Sequence, residues 1–487
     1  MQSRKSHGDI NVLDLSFSSP ERRGILLFLD LLGLNGAFLL SLYLRPDIHF
    51  SLSLVARHPV WLLLLNALWL FFGYFFQVYD LEKAGVLRAA FPGVLQAAIL
   101  TAGIFPFIPY LPPALPGSRA PLFITILLPV VFIAAGRAIY LLVFSQLMFR
   151  RRVLIIGAGW AGRTVAEAIL EHGGSIYQLL GFVDDDPAKQ DTILEIDYRD
   201  SQDNGKISSA LPILGARKDL ADLILHQRIA TLVLAVTDDL RGGMLQTVID
   251  TLQFGVQVFP MPVLYEQLTG KVPVQHIGDH WSVSMPVAHP GTQASWHFVK
   301  RLFDIFWASL GLVFLGLAYP VIALAIYIDS PGPILYTQER VGRYGKPYRV
   351  HKFRSMVVDA ETKGAVWASE NDVRVTRVGR LLRKLHIDEF PQFVNILKGE
   401  MSVVGPRPER PEFVEELAGE IPFYRVRHAV KPGMAGWGLI HQGYSASKQD
   451  ALVKLQYDLY YIKHQSFWLD LYILERTIVD ALTFRGR

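Results

Sequence analysis

The sequence predicts a membrane protein carrying α/β domains, and three observations predict it. Four apolar stretches of about twenty residues, the length a helix needs to cross hydrocarbon, follow one another before residue 150. A glycine-rich turn lies between a strand pattern and a helix pattern at 151–170, and a fifth apolar run at 302–328 contains a proline. The expected architecture is a four-helix transmembrane bundle (1–149), a Rossmann-like α/β cytosolic domain (150–275), a linker (276–298) and an α/β domain with a re-entrant membrane helix (299–487).

The first four runs lie at about 25–44, 59–79, 90–110 and 121–144. "WLLLLNALWLFFGYFF" is apolar all round, unlike the one-sided stripe of a soluble surface helix, and Trp61, Trp69 and Tyr79 suit the two membrane interfaces. Some twenty mixed polar residues precede the first run and no small-residue cleavage pattern follows it, so it reads as a retained helix and not a cleaved signal. Arg4, Lys5, Arg22 and Arg23, then Lys83 and Arg88, then Arg150 to Arg152 all fall on one side of an even-numbered bundle. The positive-inside tendency puts that side, and everything after residue 150, in the cytosol, although Arg45 and Arg57 on the other side weaken the bias.

The fifth run, "LFDIFWASLGLVFLGLAYPVIALAIYI", is expected to enter the membrane and return to the same face. Arg340, Arg343, Lys346, Arg349, Lys352 and Arg354 follow closely behind it and favour the cytosol. Pro320 removes a backbone donor inside the run, which predicts a break at Tyr319–Pro320.

In "RRVLIIGAGWAGRTVAEAIL" a buried-type strand leads into Gly157, Gly159 and Gly162 at G-x-G-x-x-G spacing and then a helix. The glycines permit a tight turn and let a diphosphate approach a helix N-terminus, so these three are candidate nucleotide-binding positions. "LLGFVDDD" supplies a second strand ending in acids at a distance suited to a ribose, and "IATLVLAVTD" and "GVQVFPMP" read as further parallel strands. Only one nucleotide-binding half is evident, so a domain that keeps the fold without the ligand is an equal reading. "KQDTILEIDYRDSQDNGKISSALP" reads as a polar insertion.

Composition narrows the chemistry. A formal charge of +4 on 487 residues, 51% of them apolar, gives no global basic field for nucleic acid. The absence of cysteine excludes disulfides, thiolate zinc sites and a cysteine nucleophile.

After residue 330 the chain reads as two strands joined by a Gly-containing turn, "SPGPILYTQERVGRYGKPYRVHKFRSM", rich in Arg and Lys next to a membrane helix. A basic helical stretch then precedes "HIDEFPQFVNILKGEMSVVGPRP", where Pro391 fits only the first turn of a new helix. Asp388 and Glu389 are thus expected at or just before a helix N-terminus, whose dipole would keep Asp388 ionised as a nucleophile. Mg²⁺, a hard oxygen-binding cation, could join one carboxylate to a diphosphate, and Arg407 between prolines offers a rigid fork for phosphate oxygens. A helix cap or a surface ion pair explains each residue alone; together they point to phosphoryl transfer.

Lys300-Arg301 before the membrane run, "SPGPILYTQERVG", "KFRSM", "IDEFPQFVNILKGEMSVVGPRP" and "KPGMAGWG" resemble the catalytic domain of the bacterial monotopic phosphoglycosyl transferases over about 298–487. With the upstream helices and Rossmann-like domain, most of the chain resembles the large undecaprenyl-phosphate galactose or glucose phosphotransferase type. The resemblance implies transfer of a sugar 1-phosphate from a UDP-sugar to undecaprenyl phosphate with release of UMP, starting exopolysaccharide, capsule or O-antigen synthesis. It implies Asp388 as the nucleophile that becomes an acyl phosphate, and Glu389 as a magnesium ligand that assists the acceptor. Arg407, with Lys352 and Arg354 in support, would bind phosphate, while Lys300, Arg301 and Pro320 would position the re-entrant helix, the first two at the headgroups. It further implies a multi-pass protein of the bacterial inner membrane, its soluble domains cytosolic, acting as a homodimer. Two positions depart from the family pattern: Glu400 stands where Asp is usual, and Tyr319 where smaller members have Ser.

Two rival readings are a membrane-bound nucleotide-sugar dehydratase and a non-catalytic nucleotide-sugar sensor or assembly scaffold. The first needs a Tyr-x-x-x-Lys pair beside a nicotinamide; Tyr348 and Lys352 have that spacing but lie far beyond the Rossmann-like domain. The C-terminal "YDLYYIKHQSFWLDLYILERTIVDALTF" suits an interfacial helix and a core helix equally.

Overall fold

The computed structural model describes residues 19–76, 78–79, 87–115, 119–144, 150–174, 176–199, 205–236, 249–276, 294–358, 360, 372–442 and 447–482. The chain divides into two compact units, Met1–Met261 and Pro262–Arg487. Most of the expected linker, and the basic positions Arg4, Lys5 and Lys83, lie outside the described residues.

The first unit opens with helices α1 (Ser19–Tyr43), α2 (Leu52–Arg57), α3 (Val60–Phe75), α4 (Leu87–Ile104) and α5 (Arg119–Phe144). All four expected apolar helices are present; among the described residues Glu21–Tyr43 and Arg119–Tyr140 have the length and apolarity of a membrane span, and Val60–Phe75 and Phe91–Phe107 are shorter apolar helices. Polar ties join these helices where apolar packing alone is unspecific. Arg137 on α5 donates to Asp30 on α1 at 2.6 Å with both side chains buried, and Asn35 and Asn66 exchange amide hydrogen bonds at 3.0 and 3.2 Å. Trp61 and Trp69 do not face an interface as expected: both are buried in the helix cluster, and Trp69 Nε1 donates to the Tyr79 hydroxyl.

The same unit continues into a four-stranded parallel sheet in the order β2-β1-β5-β6, with β1 at Arg151–Ile156, β2 at Tyr177–Val183, β5 at Thr231–Leu234 and β6 at Gln257–Pro260. The polar insertion is an antiparallel hairpin of β3 (Ile193–Arg199) and β4 (Lys206–Pro212). Gly157 has φ +103°, a left-handed conformation open to glycine, and Gly159 caps α6 (Trp160–His172). A Cβ on Gly162 would drive into the Gly157 carbonyl, so this glycine permits the close helix–strand approach. Of the acids that end β2, Asp184 accepts from Ala158 N at 2.8 Å and from Lys189 at 3.1 Å. The unit also contains α7 (Leu220–Gln227).

Helix α8 (Met261–Thr269) leads into the second unit. Residues 262–275, assigned from sequence to the Rossmann-like domain, fall in the second unit: Val272 and Val274 join its core, and Lys463 pairs with Glu266 at 2.9 Å. The unit is built on α9 (Ala294–Asp329), the antiparallel hairpin β7 (Leu335–Val341) and β8 (Pro347–Phe353), α10 (Arg377–Lys384) and α11 (Phe393–Lys398). A parallel pair follows, β9 (Ser402–Val404) with β10 (Gly433–Ala435), and around it lie α12 (Pro411–Glu420), α13 (Trp437–Gln442), α14 (Lys448–His464) and α15 (Phe467–Leu482). The C-terminal ambiguity resolves in part, since α14 buries Leu455, Leu459, Tyr461 and Ile462 in the core.

Helix α9 starts earlier than expected, at Ala294, and is continuous through Pro320 to Asp329. Helical backbone runs past Tyr319–Pro320, where an interruption was expected, and residues on both sides of the proline pack into one cluster. Leu312 and Leu315 before it, and Ile322 and Ile326 after it, pack with Phe353, Leu382 and Phe390. The opposite face is exposed and apolar along its length, including Phe306, Val313, Leu317, Val321 and Leu324.

Gly162→Ala should lower the thermal midpoint of the full chain in detergent, by about 1–3 kcal/mol of overpacking, since its Cβ meets backbone. Gly159→Ala, with open space around its Cβ site and φ −82°, should leave the midpoint unchanged.

Candidate active site

Asp388 and Glu389 lie in the first turn of a short 3₁₀ helix, Ile387–Gln392, which runs straight into α11. His386, at φ +55°, turns the chain out of the basic helix α10. Pro391 is the fifth of the six residues of this element, two positions ahead of Phe393, where α11 begins. Both acids are buried, with 8% of Asp388 and 6% of Glu389 exposed.

Two other segments converge on Glu389. Lys352 on β8 donates from Nζ to Oε1 at 2.7 Å. Arg407, in the Pro-Arg-Pro loop after β9, reaches Oε1 through one guanidinium nitrogen at 2.7 Å and Oε2 through the other at 3.4 Å. The loop is itself braced: Arg427 donates to the Arg407 carbonyl at 3.0 Å and pairs with buried Asp458 at 2.8 Å, while Arg340 donates to the Pro408 carbonyl at 3.0 Å.

The two neighbouring acids are driven apart electrostatically. For Glu389, burial favours the neutral form, but Arg407 and Lys352 outweigh it and hold the carboxyl well below the usual range. For Asp388, burial and then the adjacent Glu389 push the carboxyl up, against weaker opposition from Lys352, Arg383 and His386. A helix dipole was expected to favour ionised Asp388; α11 has only six residues, and burial of the carboxylate works in the opposite direction. Burial likewise lowers the proton affinity of Lys352, with Glu389 opposing.

Of the expected phosphate-binding cations, Arg407 and Lys352 come together and Arg354 does not. Lys352 lies within β8, whereas Arg354 lies past the strand's end and donates to the Ser330 carbonyl behind α9. Lys300 and Arg301, expected to position the membrane helix, make their hydrogen bonds to the protein. Lys300 Nζ pairs with Asp470, 1% exposed, at 2.5 Å and donates to the Val404 carbonyl at 2.8 Å. Arg301 donates to the Ile396 and Leu397 carbonyls at 2.7 and 2.6 Å, capping the end of α11. A basic pair at the start of an apolar run looks the same in sequence whether it faces lipid or a buried acid. Sequence reasoning missed Arg427, which carries no local motif, and gave no role to Asn395, although it lies inside the motif of the acid pair; Arg383, near Asp388, was visible only as part of the basic helix.

Among the described residues no group of three or more His, Asp or Glu side chains forms a metal cage. The donor set fits magnesium only as a shared ligand, one or two carboxylates completed by phosphate oxygens and water. Glu389 Oε1 accepts from two cations and Oε2 from Arg407 at the longer 3.4 Å, so Oε2 and the Asp388 carboxylate are the oxygens that would face such an ion.

A family model described as bacterial sugar transferase matches residues 295–484. The chain is 32% identical over 421 residues to the UDP-N-acetylgalactosamine-undecaprenyl-phosphate N-acetylgalactosaminephosphotransferase of Aeromonas hydrophila, covering 85% of this chain and 90% of that protein. It is 42% identical over 182 residues to the UDP-glucose:undecaprenyl-phosphate glucose-1-phosphate transferase of Escherichia coli (strain K12), covering 37% and 39%. It is 32% identical over 348 residues to the undecaprenyl-phosphate glucose phosphotransferase of Komagataeibacter xylinus, covering 69% and 60%.

The electrostatic asymmetry predicts opposite stability effects. Glu389→Gln strands Lys352 and Arg407 and should destabilise by about 3 kcal/mol in thermal unfolding near neutral pH. Asp388→Asn removes a buried charge and should leave the protein equally or more stable. Because the folded Glu389 value is depressed, its advantage over Gln should hold at and above the ordinary 4.5 and disappear as pH falls below it.

Proposed function

We propose that this chain, which belongs to the bacterial sugar transferase family, transfers a sugar 1-phosphate from a UDP-sugar to undecaprenyl phosphate and releases UMP. The observation that carries the reading is the buried acid pair, with its unequal environments, inside the segment that the family model matches. Relatives named for undecaprenyl-phosphate sugar transfer support the acceptor and, in two names, a UDP donor.

Asp388 acts as the nucleophile. Its carboxylate oxygen bonds to the sugar-bearing phosphorus, the bond from that phosphorus to the bridging oxygen breaks, and UMP leaves with that oxygen. A phosphate oxygen of undecaprenyl phosphate then bonds to the same phosphorus, and the Asp388–phosphorus bond breaks to return the carboxylate. Each step exchanges one high-energy phosphoryl bond for another, so no outside energy source is required. Burial leaves the ionised Asp388 poorly solvated and reactive, and Lys352 and Arg383 favour the charged form when it is needed. Arg407 and Lys352, already directed at one point, are suited to steady diphosphate oxygens, while Glu389 orients both and assists the acceptor. Glu389 and Asp388 would hold magnesium, which would supply charge neutralisation for the diphosphate.

Soluble donor and lipid acceptor must meet at one face, and α9 supports a re-entrant, monotopic attachment. A straight helix of its 36 residues would be about 54 Å long, far beyond a hydrocarbon core of about 30 Å. Both of its ends are tied to the same unit: Asp304 accepts from Ser402 Oγ at 2.7 Å near the start, and Asp329 accepts from Val378 N at 2.8 Å at the end. We place the protein in the bacterial inner membrane as a homodimer, with four helices of the first unit crossing and the soluble parts in the cytosol. There it starts exopolysaccharide, capsule or O-antigen synthesis. The sugar is galactose or glucose by type, with N-acetylgalactosamine brought into contention by the Aeromonas relative's name. The loop of Gly157, Gly159 and Gly162 is a candidate nucleotide site, with a domain that keeps the fold without the ligand as the equal reading, and either is separate from transfer.

The test is UMP release by the full chain from UDP-galactose, UDP-glucose and UDP-N-acetylgalactosamine with undecaprenyl phosphate and magnesium. One donor should give magnesium-dependent UMP and a lipid-linked sugar, and Asp388→Asn should lose about a thousandfold or more. With donor alone the protein should gain the mass of one phosphosugar, absent in Asp388→Asn. Full activity in that variant would sink the assignment.

A further inference from the structure

We propose that Asn395 is a positioning residue for the acid pair, acting through β8 and Lys352, an inference that rests on the transferase reading above. Asn395 lies on α11, directly after the turn that carries Asp388 and Glu389, and is fully buried. Its Oδ1 accepts from His351 N at 3.2 Å, and its Nδ2 donates to the Arg349 carbonyl at 2.8 Å and to Glu400 Oε2 at 2.7 Å. One acceptor and both donors are thus engaged.

The two backbone groups belong to the free edge of β8. Its other edge pairs with β7, Glu339 opposite Arg349 and Thr337 opposite His351. The Asn395 amide takes the place that a neighbouring strand would occupy, and it does so from the segment that holds Glu389. This matters because side chains alternate along a strand. A slip of β8 by one residue past α11 would send Lys352 to the opposite face, away from Glu389. Glu400 fixes which way the amide points: reversed, the amide oxygen would face both a carboxylate and the Arg349 carbonyl while its NH₂ faced the His351 N–H. Glu400 is exposed and outside the acid pair, so its part is to lock Asn395.

Asn395→Asp keeps the shape, removes both donors and sets a carboxylate against Glu400; the exposed Glu400→Ala is the milder variant. In the intact detergent-purified chain, acylation of each lysine by an amine-reactive ester is read by peptide mass spectrometry. Asn395→Asp should raise Lys352 labelling about fivefold, and Glu400→Ala about twofold, with buried Lys454 unchanged. Transfer kcat should fall about tenfold or more in Asn395→Asp with KM little altered. That loss should shrink to about twofold when Lys352 is already Met, because the effect passes through Lys352. Adding Glu400→Gln to Asn395→Asp, which returns a donor opposite the new carboxylate, should recover part of both readouts. Equal rises at Lys352 and Lys454, or an undiminished loss in the Lys352→Met background, would overturn the proposal. Selective Lys352 release in a chain whose wild type turns over no donor would uphold the clamp and refute the transferase reading.

Discussion

Glu389 is a buried anion shared by two cations from distant segments, and the catalytic region depends on that sharing. Lys352 arrives on a hairpin and Arg407 on a loop between prolines, and each would be a costly buried charge without the carboxylate between them. The same arrangement lets the adjacent Asp388 remain uncompensated. Two acids next to one another thereby acquire different proton affinities, the condition for giving them different chemical tasks.

A second set of buried charges attaches the membrane helix to this region. Lys300 with Asp470, Arg301 on the carbonyls ending α11, and Asp304 on β9 sit within one turn and a half of each other along α9. The apolar face of that helix thus points outward while its polar residues grip the elements that build the site. Arg301 links the two functions directly, since α11 follows the acid pair without a break.

The first unit uses charge in another way. Arg137 with Asp30, and Asn35 with Asn66, fix helix pairing where apolar surfaces are interchangeable. Its glycine loop turns between β1 and α6 with Gly157 at positive φ, and Asp184 is engaged by the loop itself and by Lys189. Fold and ligand binding are therefore separable questions in this domain.

Local pattern determined much of this protein. Gly157 and Gly162 stood between a strand and a helix, alternation and a Gly-containing turn marked the β7–β8 hairpin, and Asp388, Glu389 and Arg407 were legible as a chemical group because motif and proline spacing are properties of contiguous residues. Direction and partnership were not contiguous properties. Only the tertiary structure decided that Lys352 meets Glu389 while Arg354 turns to Ser330, that Lys300 faces Asp470 from 170 positions away, and that α9 passes through Pro320 unbroken. The proton affinity of Asp388 belongs to the same class, because burial and neighbouring charge are set by segments that the chain brings together only on folding.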